Sequence, residues 1–359
     1  MLTHFNDFTE DQFDFHMYCL RKMTLRAYIS LLKLEDQLRS HPYYFRAAQN
    51  AIRCYVQLFD KPDGSEPEEM EGMTEAEKKK YRSKLRKAEL KAQKEAEEKK
   101  QQAKEEMAKK GGKIDEDPEG LKYSKTEDPL EAALKFLRPL QELASERIET
   151  HLMGFEIYIR KSMYLLGFRG NGLKIKWTER LTARWFGSDE IIDKLLLALK
   201  SLLKSVALDA NHATLHEQLV RFALAVEKAG SSIKPAVKTV IDQHLSTLYG
   251  AKANPRTKEG LEAFTTEFLN KNKDLGSVPH LISAAISISL IGQPSAEKSK
   301  AKAEGILFLV EDQGKYGASC SLENCLLIQK TLKSLRSSRQ AEFKQKAAVW
   351  FPKATAFQS

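Results

Sequence analysis

Residues 74–110 constrain the fold more than any other part of the chain. The stretch opens TEAEKKKYRSKLRKAELKAQK and continues in Glu, Lys, Gln and Ala until Gly111 and Gly112 stop it. Neither Pro nor Gly interrupts it, and Ala, Lys, Glu and Gln are all strong helix formers. Glu95–Lys99, Glu105–Lys109 and Glu106–Lys110 are i,i+4 pairs in the favourable orientation, each worth about 0.2–0.5 kcal/mol. Almost nothing apolar recurs on one face, so such a helix cannot be buried in a core. At about 1.5 Å per residue it predicts a solvated rod of roughly 55 Å.

Charge is unevenly spread along this rod. Lys78, Lys79, Lys80, Arg82, Lys84, Arg86 and Lys87 supply seven cations within residues 78–87, where there is no acidic residue. Residues 88–110 carry seven basic and six acidic residues. Glu66, Glu68, Glu69, Glu71 and Glu75 form an acidic lead-in just upstream. The whole chain has a formal charge of +9, and residues 77–110 hold fourteen basic and seven acidic residues, or +7. The excess is therefore local, a patch suited to an anionic partner. Seven uncompensated cations attract phosphate backbones, with binding that falls steeply as salt rises. They also meet the loose requirement for a nuclear import signal. Only Tyr81 interleaves with them, so base stacking is not indicated within the run.

At 359 residues, 42% of them hydrophobic, the chain can build two domains with real cores. Cys19, Cys54, Cys320 and Cys325 are too few and too scattered for a disulfide framework, which fits a reducing compartment. No apolar run approaches the roughly 20 residues needed to span a bilayer, so no membrane contact is expected. The opening MLTHFNDFTEDQFDFH is acidic and aromatic, unlike a signal or transit peptide. The expectation is a soluble, intracellular protein.

Either side of the rod, apolar residues recur at helical spacing. Thr9 and Gln12 suit a capping box ahead of Phe13, Met17 and Leu20. Leu25, Tyr28, Leu32 and Leu38 mark a second helix, which His41-Pro42 breaks. Phe45, Ala48, Ile52, Tyr55, Val56 and Phe59 mark a third, with a wide apolar face. Residues 111–128 read as a polar, turn-rich linker. Beyond it, Thr126 or Asp128 caps a helix with Pro129 in its first turn, and Pro139 should kink or end that helix. Ile148, Leu152, Phe155 and Ile159 stripe the next one. Residues 167–188 break the pattern with four glycines, two of the three tryptophans and a strand-like LKIKW, and read as an irregular insertion. Helices resume with Leu195, Leu199 and Leu203, then with Leu215, Leu219, Phe222 and Val226, then with Ile233, Val237, Ile241 and Leu248. The turn ALDANHATLHEQL between the first two looks like the junction of consecutive tetratricopeptide units, although the spacing is not strictly periodic. Ile286, Ile288 and Leu290 alternate, but their context argues for helix. Residues 305–348 are again amphipathic and end in an aromatic tail at Trp350 and Phe351.

Chemistry-bearing motifs are sparse. His212 and His216 stand four apart on a helix, but no HExxH pattern surrounds them, and they read as a cap or turn histidine followed by a surface one. Cys320 and Cys325 lack a second ligand pair for zinc. The Gly170-Asn171-Gly172 turn is not followed by the Lys of a phosphate loop, and no GxSxG elbow occurs. If the chain were an enzyme, Cys320, Cys325 and His212 would be its candidates. The spacing supports no catalytic residue, no cofactor and no metal.

The segment FTEDQFDFHMYCLRKMTLRAYISLLKLEDQLRSHPYYFRAA closely resembles the large auxiliary subunit of the N-terminal acetyltransferase A complex. The likeness continues through KKKYRSKLRKAELKAQK and PLEAALKFLRPLQELASERIETHLMGFEIYIRKSMYLL, and is traceable in ALDANHATLHEQLVRF, TEFLNKNKDLGSVPHLISAA and FPKATAF. The resemblance implies an all-α chain of stacked helical hairpins, a tetratricopeptide-like superhelix with a long projecting charged helix. Residues 1–60 would form one helical-repeat segment, 61–128 the acidic lead-in, charged helix and linker, and 129–359 a second helical-repeat domain. It further implies a non-catalytic scaffold that supports a catalytic acetyltransferase subunit, docks at the ribosome and takes a small regulatory subunit on its C-terminal helical domain. Lys78, Lys79, Lys80, Arg82, Lys84, Arg86 and Lys87 would be the contact to ribosomal RNA. The expected location is cytoplasmic, with a nuclear pool. The match corresponds to the C-terminal portion of that subunit, so the upstream repeats that hold most of the catalytic partner are expected to lie outside it. Residues 167–188 have no counterpart in the family pattern. The alternative reading is a helical RNA-binding or protein-interaction scaffold acting through the basic helix.

Overall fold

The computed structural model describes residues 25–60, 83, 126–165, 168–169, 173–174, 188–230, 233–250, 254–273, 277–292, 297–312 and 321–357. Most of the charged stretch and its linkers lie outside these residues. The seven cations Lys78, Lys79, Lys80, Arg82, Lys84, Arg86 and Lys87 all lie outside the described residues; of the run only Ser83 is described, helical and exposed.

Helices α1 (Leu25–Leu38) and α2 (Pro42–Asp60) precede the charged stretch. After it come α3 (Pro129–Leu143), α4 (Ile148–Leu165) and a minimal hairpin, with β1 (Phe168–Arg169) antiparallel to β2 (Leu173–Lys174). Then follow α5 (Ser188–Leu208), α6 (Ala213–Ala229), α7 (Pro235–Tyr249), α8 (Lys258–Lys273) and α9 (Val278–Ile291). The chain closes with α10 (Glu297–Asp312), α11 (Leu322–Ser334), α12 (Gln340–Trp350) and a 3-10 turn at Thr355–Phe357. No helix among the described residues is long and apolar enough to cross a membrane.

Consecutive helices pack on one another, as stacked helical hairpins should: α3 on α4, α4 on α5, α8 on α9, α9 on α10 and α11 on α12. Two apolar clusters result. The first runs from Tyr44 on α2 to Leu261 on α8 and takes in Ile291 at the end of α9, with Phe155, Leu202 and Phe222 among its fully buried side chains. Phe155 and Phe222 meet edge-on, 6.5 Å apart at 64°, a geometry worth about 0.5–1.5 kcal/mol beyond their buried area. The second joins α9 to the C-terminus around Leu281, Ile328 and Phe343. Helix α2 buries Phe45, Ala48, Ile52, Tyr55 and Phe59 against α3, the face its periodicity predicts.

Local signals explain most boundaries. Asp128 caps α3, its Oδ1 accepting the Leu130 and Glu131 amides at 3.0 Å each, so it is the cap that the sequence left open between Thr126 and Asp128. Gly230 and Gly250 end α6 and α7 at φ +44 and +81, where a side chain would be strained. ISAAISISLI is helix, because α9 packs against α6, α8 and α10 and is buried almost all round.

Several expectations are corrected. Of the two outcomes expected at Pro139, a kink or an end, the end does not occur: α3 runs on to Leu143, its apolar face carrying on through buried Leu140. Helix α7 starts at Pro235, leaving Ile233 before it, and Ser188 belongs to α5 rather than to the irregular segment. Within that segment the described residues form the two-stranded turn, and LKIKW is strand at Leu173–Lys174.

Candidate functional site

Helix α6 carries the densest polar chemistry among the described residues. Leu215, Leu219 and Phe222 point into the first core. The flanks of the same helix reach two separate polar clusters, each joining it to other helices.

The first cluster is ionic. Glu156 of α4 accepts hydrogen bonds from Arg160, from Arg221 Nη1 at 2.7 Å and from Gln218 Nε2 at 2.9 Å. Arg160 also grips Asp60 at the end of α2, Nε to Oδ1 at 3.0 Å and Nη2 to Oδ2 at 2.9 Å. Two cations and two acids thus tie α2, α4 and α6 together across the charged stretch of the sequence. Burial alone would raise the Glu156 pKa, but Arg221 and Arg160 overcome it and hold the carboxyl down at about 2. Burial works against charged Arg160 too, and Glu156 and Asp60 more than compensate, raising its pKa. Glu217 goes the other way. Burial pushes its pKa up, with Arg221 opposing and Glu156 adding to the rise.

The second cluster is neutral and aromatic. His216 stacks on Phe268 at 3.9 Å and 6°, with Phe264 at 4.8 Å, and Phe268 in turn faces His280 at 5.5 Å. Thr265 gives its hydroxyl proton to the Leu261 carbonyl, so His216 Nε2, 3.3 Å from that hydroxyl, must be the donor to it. The Asn211 carbonyl likewise requires a proton on His280 Nε2 at 2.8 Å, which leaves Nδ1 to accept from Ser277 at 2.7 Å. Asn211 and Asn272 exchange amide hydrogen bonds, 2.8 Å in one direction and 3.3 Å in the other. Ser283 of α9 donates to the Ala213 carbonyl at 2.6 Å. This seam joins the two apolar clusters. Burial, with a smaller contribution from His280, lowers the His216 pKa to about 3, so the ring is neutral.

The candidates read from spacing fare differently. His216 is not a surface histidine but a buried one, because its ring finds two phenylalanines to stack on. His212 sits at the N-cap of α6 without a side-chain capping bond. Among the described residues no group of three or more His, Cys, Asp or Glu side chains could hold a metal ion. Cys325 is buried in the second apolar cluster, and Cys320 lies outside the described residues. A cavity of about 240 Å³ lies between α6 and α7, lined by Phe222, Val226, Leu245 and Tyr249 and by the ion-paired Asp242 and Arg256. Sequence reasoning missed the ionic cluster. Its signal was present as Glu156–Arg160 and Glu217–Arg221, two i,i+4 pairs set beside apolar stripes.

These clusters join helices to helices, and the described residues define the class as a stack of helical hairpins tied together by polar seams. Comparison with known proteins gives the family. A family model described as N-terminal acetyltransferase A, auxiliary subunit, matches residues 1–170. The chain is 37% identical over 326 residues to N-alpha-acetyltransferase 16, NatA auxiliary subunit, of Homo sapiens, an alignment covering 86% of this chain and 33% of that protein. It is 34% identical over 374 residues to the N-terminal acetyltransferase A complex auxiliary subunit NAA15 of Arabidopsis thaliana, covering 99% of this chain and 37% of that one. A solved structure of Naa15/Naa10 bound to HypK-THB matches at 28% identity and a TM-score of 0.43, over 68% of this chain and 25% of that chain. The chain belongs to the family of NatA auxiliary subunits, as the resemblance in its sequence implied. It spans about a third of the length of the curated relatives it matches.

Proposed function

We propose that the chain serves as a non-catalytic auxiliary scaffold of an N-terminal protein acetyltransferase complex. It supports the catalytic subunit, helps dock the complex at the ribosome for co-translational acetylation, and offers its C-terminal helical domain to a small regulatory subunit. The observation that carries this reading is the alignment of nearly the whole chain with proteins named as NatA auxiliary subunits. The helical architecture supports it, because the polar clusters hold helices together. The seven cations at Lys78, Lys79, Lys80, Arg82, Lys84, Arg86 and Lys87 are the proposed contact to ribosomal RNA, and the location is cytoplasmic with a nuclear pool. A pull-down of the full chain with the family's catalytic subunit, with and without ribosomes, tests the scaffold. Acetyl transfer to a Ser- or Ala-starting peptide by the chain alone would overturn the non-catalytic reading. Reversing four of the seven cations to Glu should cut ribosome co-sedimentation strongly at low salt and little at high salt. Unchanged pelleting at every salt concentration would remove the basic run as the docking element.

A further inference from the structure

The outward face of α2 does not fit an idle solvated surface. Tyr43, Arg46, Asn50, Arg53 and Gln57 are all exposed, at positions that share one face within about 80° and extend about 20 Å along the helix. Tyr43 is 72% exposed, the largest exposure of any aromatic ring among the described residues. The His41 ring lies 5.1 Å from it, tilted by 37°, and the Arg46 guanidinium stands over it at 6.0 Å, so two planar nitrogen-rich groups border an aromatic ring that is still largely open to solvent. The His41 ring is held there by accepting the Tyr43 amide at 3.3 Å. From Arg39 to Phe59 the sequence carries three arginines and no acidic residue. None of Arg39, Arg46 and Arg53 is ion-paired among the described residues. The acids on neighbouring elements are Glu35 and Asp36 of α1, Glu131 and Glu142 of α3, Glu156 of α4 and, beside Arg147 where it covers Phe45, Glu146 and Glu149.

We infer that this stripe is a docking surface for single-stranded RNA, with Tyr43 stacking an unpaired base and Arg39, Arg46 and Arg53 meeting the phosphates. An open aromatic ring offers a stacking platform to any base, worth about 1–3 kcal/mol per base. Spaced arginines pair with a phosphate chain, and the Asn50 and Gln57 amides can bond 2′-hydroxyls. A duplex would not do, because its bases are already stacked. An acidic peptide would use the arginines and leave the ring without a purpose. The surface lies on α2, ahead of the basic run, and does not depend on that run's role at the ribosome.

The test uses the full chain with four of the seven cations of the basic run reversed to Glu, which removes the competing site. Anisotropy of a fluorescein-labelled single-stranded RNA of about 12 nucleotides is followed at low and moderate salt. Tyr43→Ala should weaken binding about tenfold at both salts, while Tyr43→Phe keeps parent affinity. Arg46→Glu with Arg53→Glu should weaken it most at low salt. Circular dichroism of each variant should match the parent, since all three side chains are exposed. Parent-like binding by Tyr43→Ala, or no RNA binding in the basic-run background, would overturn the inference. So would equal affinity for DNA of the same sequence, or displacement by polyglutamate as effective as by RNA.

Discussion

Helix α6 is held on its two flanks by opposite means. Around Glu156 the contacts are charged, and every acid and guanidinium there has a partner of opposite sign. Around His216 they are uncharged, built from stacked rings, two amides and hydroxyls. The ionic cluster sits where α2 returns from across the charged stretch, and the neutral one where the two apolar cores meet. A charged joint offers strength only while all its members are present, since a buried charge stripped of its partner costs far more than the pair gains. A neutral joint tolerates substitution by shape, because its main contribution is buried area and ring contact.

The largest effect should therefore come from Glu156→Ala. It leaves Arg160 and Arg221 facing one another without their shared anion, and should cost about 3–5 kcal/mol in chemical denaturation. Adding Arg221→Met to Glu156→Ala should recover part of that loss, because the second change removes a stranded charge. If the double variant is as weak as the sum of the two singles, the cluster is not a coupled unit. His216→Ala should cost about 3 kcal/mol through the cavity left between Phe264 and Phe268. His216→Phe should cost under about 1.5 kcal/mol, since the stack survives and Thr265 keeps its bond to Leu261. Equal losses for Ala and Phe would mean that the hydrogen bond, not the stack, dominates.

Acid sharpens the contrast into two windows. His216 has a folded pKa near 3, depressed from 6.5, so its contribution is complete above 6.5 and lost as pH falls toward 3. Glu156, depressed from 4.5 to about 2, contributes fully above 4.5 and loses that contribution toward pH 2. Glu217 is raised and acts oppositely, easing the fold as it takes up a proton. Stability should thus begin to fall near pH 6.5 and steepen below 4.5. His151, also lowered from 6.5 by burial, shares the first window, so that limb should shrink in His216→Phe and the second in Glu156→Gln, the smallest of these effects and readable as pH-dependent melting temperatures. A single limb that neither substitution alters would sever both assignments.

Periodicity alone located α1 to α7 but not α8. The face of α2 at Phe45, Ala48, Ile52, Tyr55 and Phe59 is buried as its spacing required, and so are Leu215, Leu219 and Phe222 on α6. Hydrophobic spacing is a local property, so a single sequence carries it in full, as it does the Asp128 cap and the terminating Gly230 and Gly250. The family was equally legible, in segments such as LRSHPYYFRAA, and it implied the same helical architecture. What the sequence could not supply was pairing across distance. Asp60 meets Arg160 a hundred residues away, and His216 finds Phe268 and Thr265 on another helix hairpin. Those contacts depend on how helices stack, so a mid-helix His or Glu reads as surface until its neighbours are known. Pro139 makes the same point: a local rule kinks or stops the helix there, but the apolar face beyond it, carrying Leu140, gains enough burial to carry α3 on to Leu143. The sequence determined which elements form. Tertiary packing decided which charges and rings would meet, because burial sets the worth of a polar group and only the folded chain fixes burial.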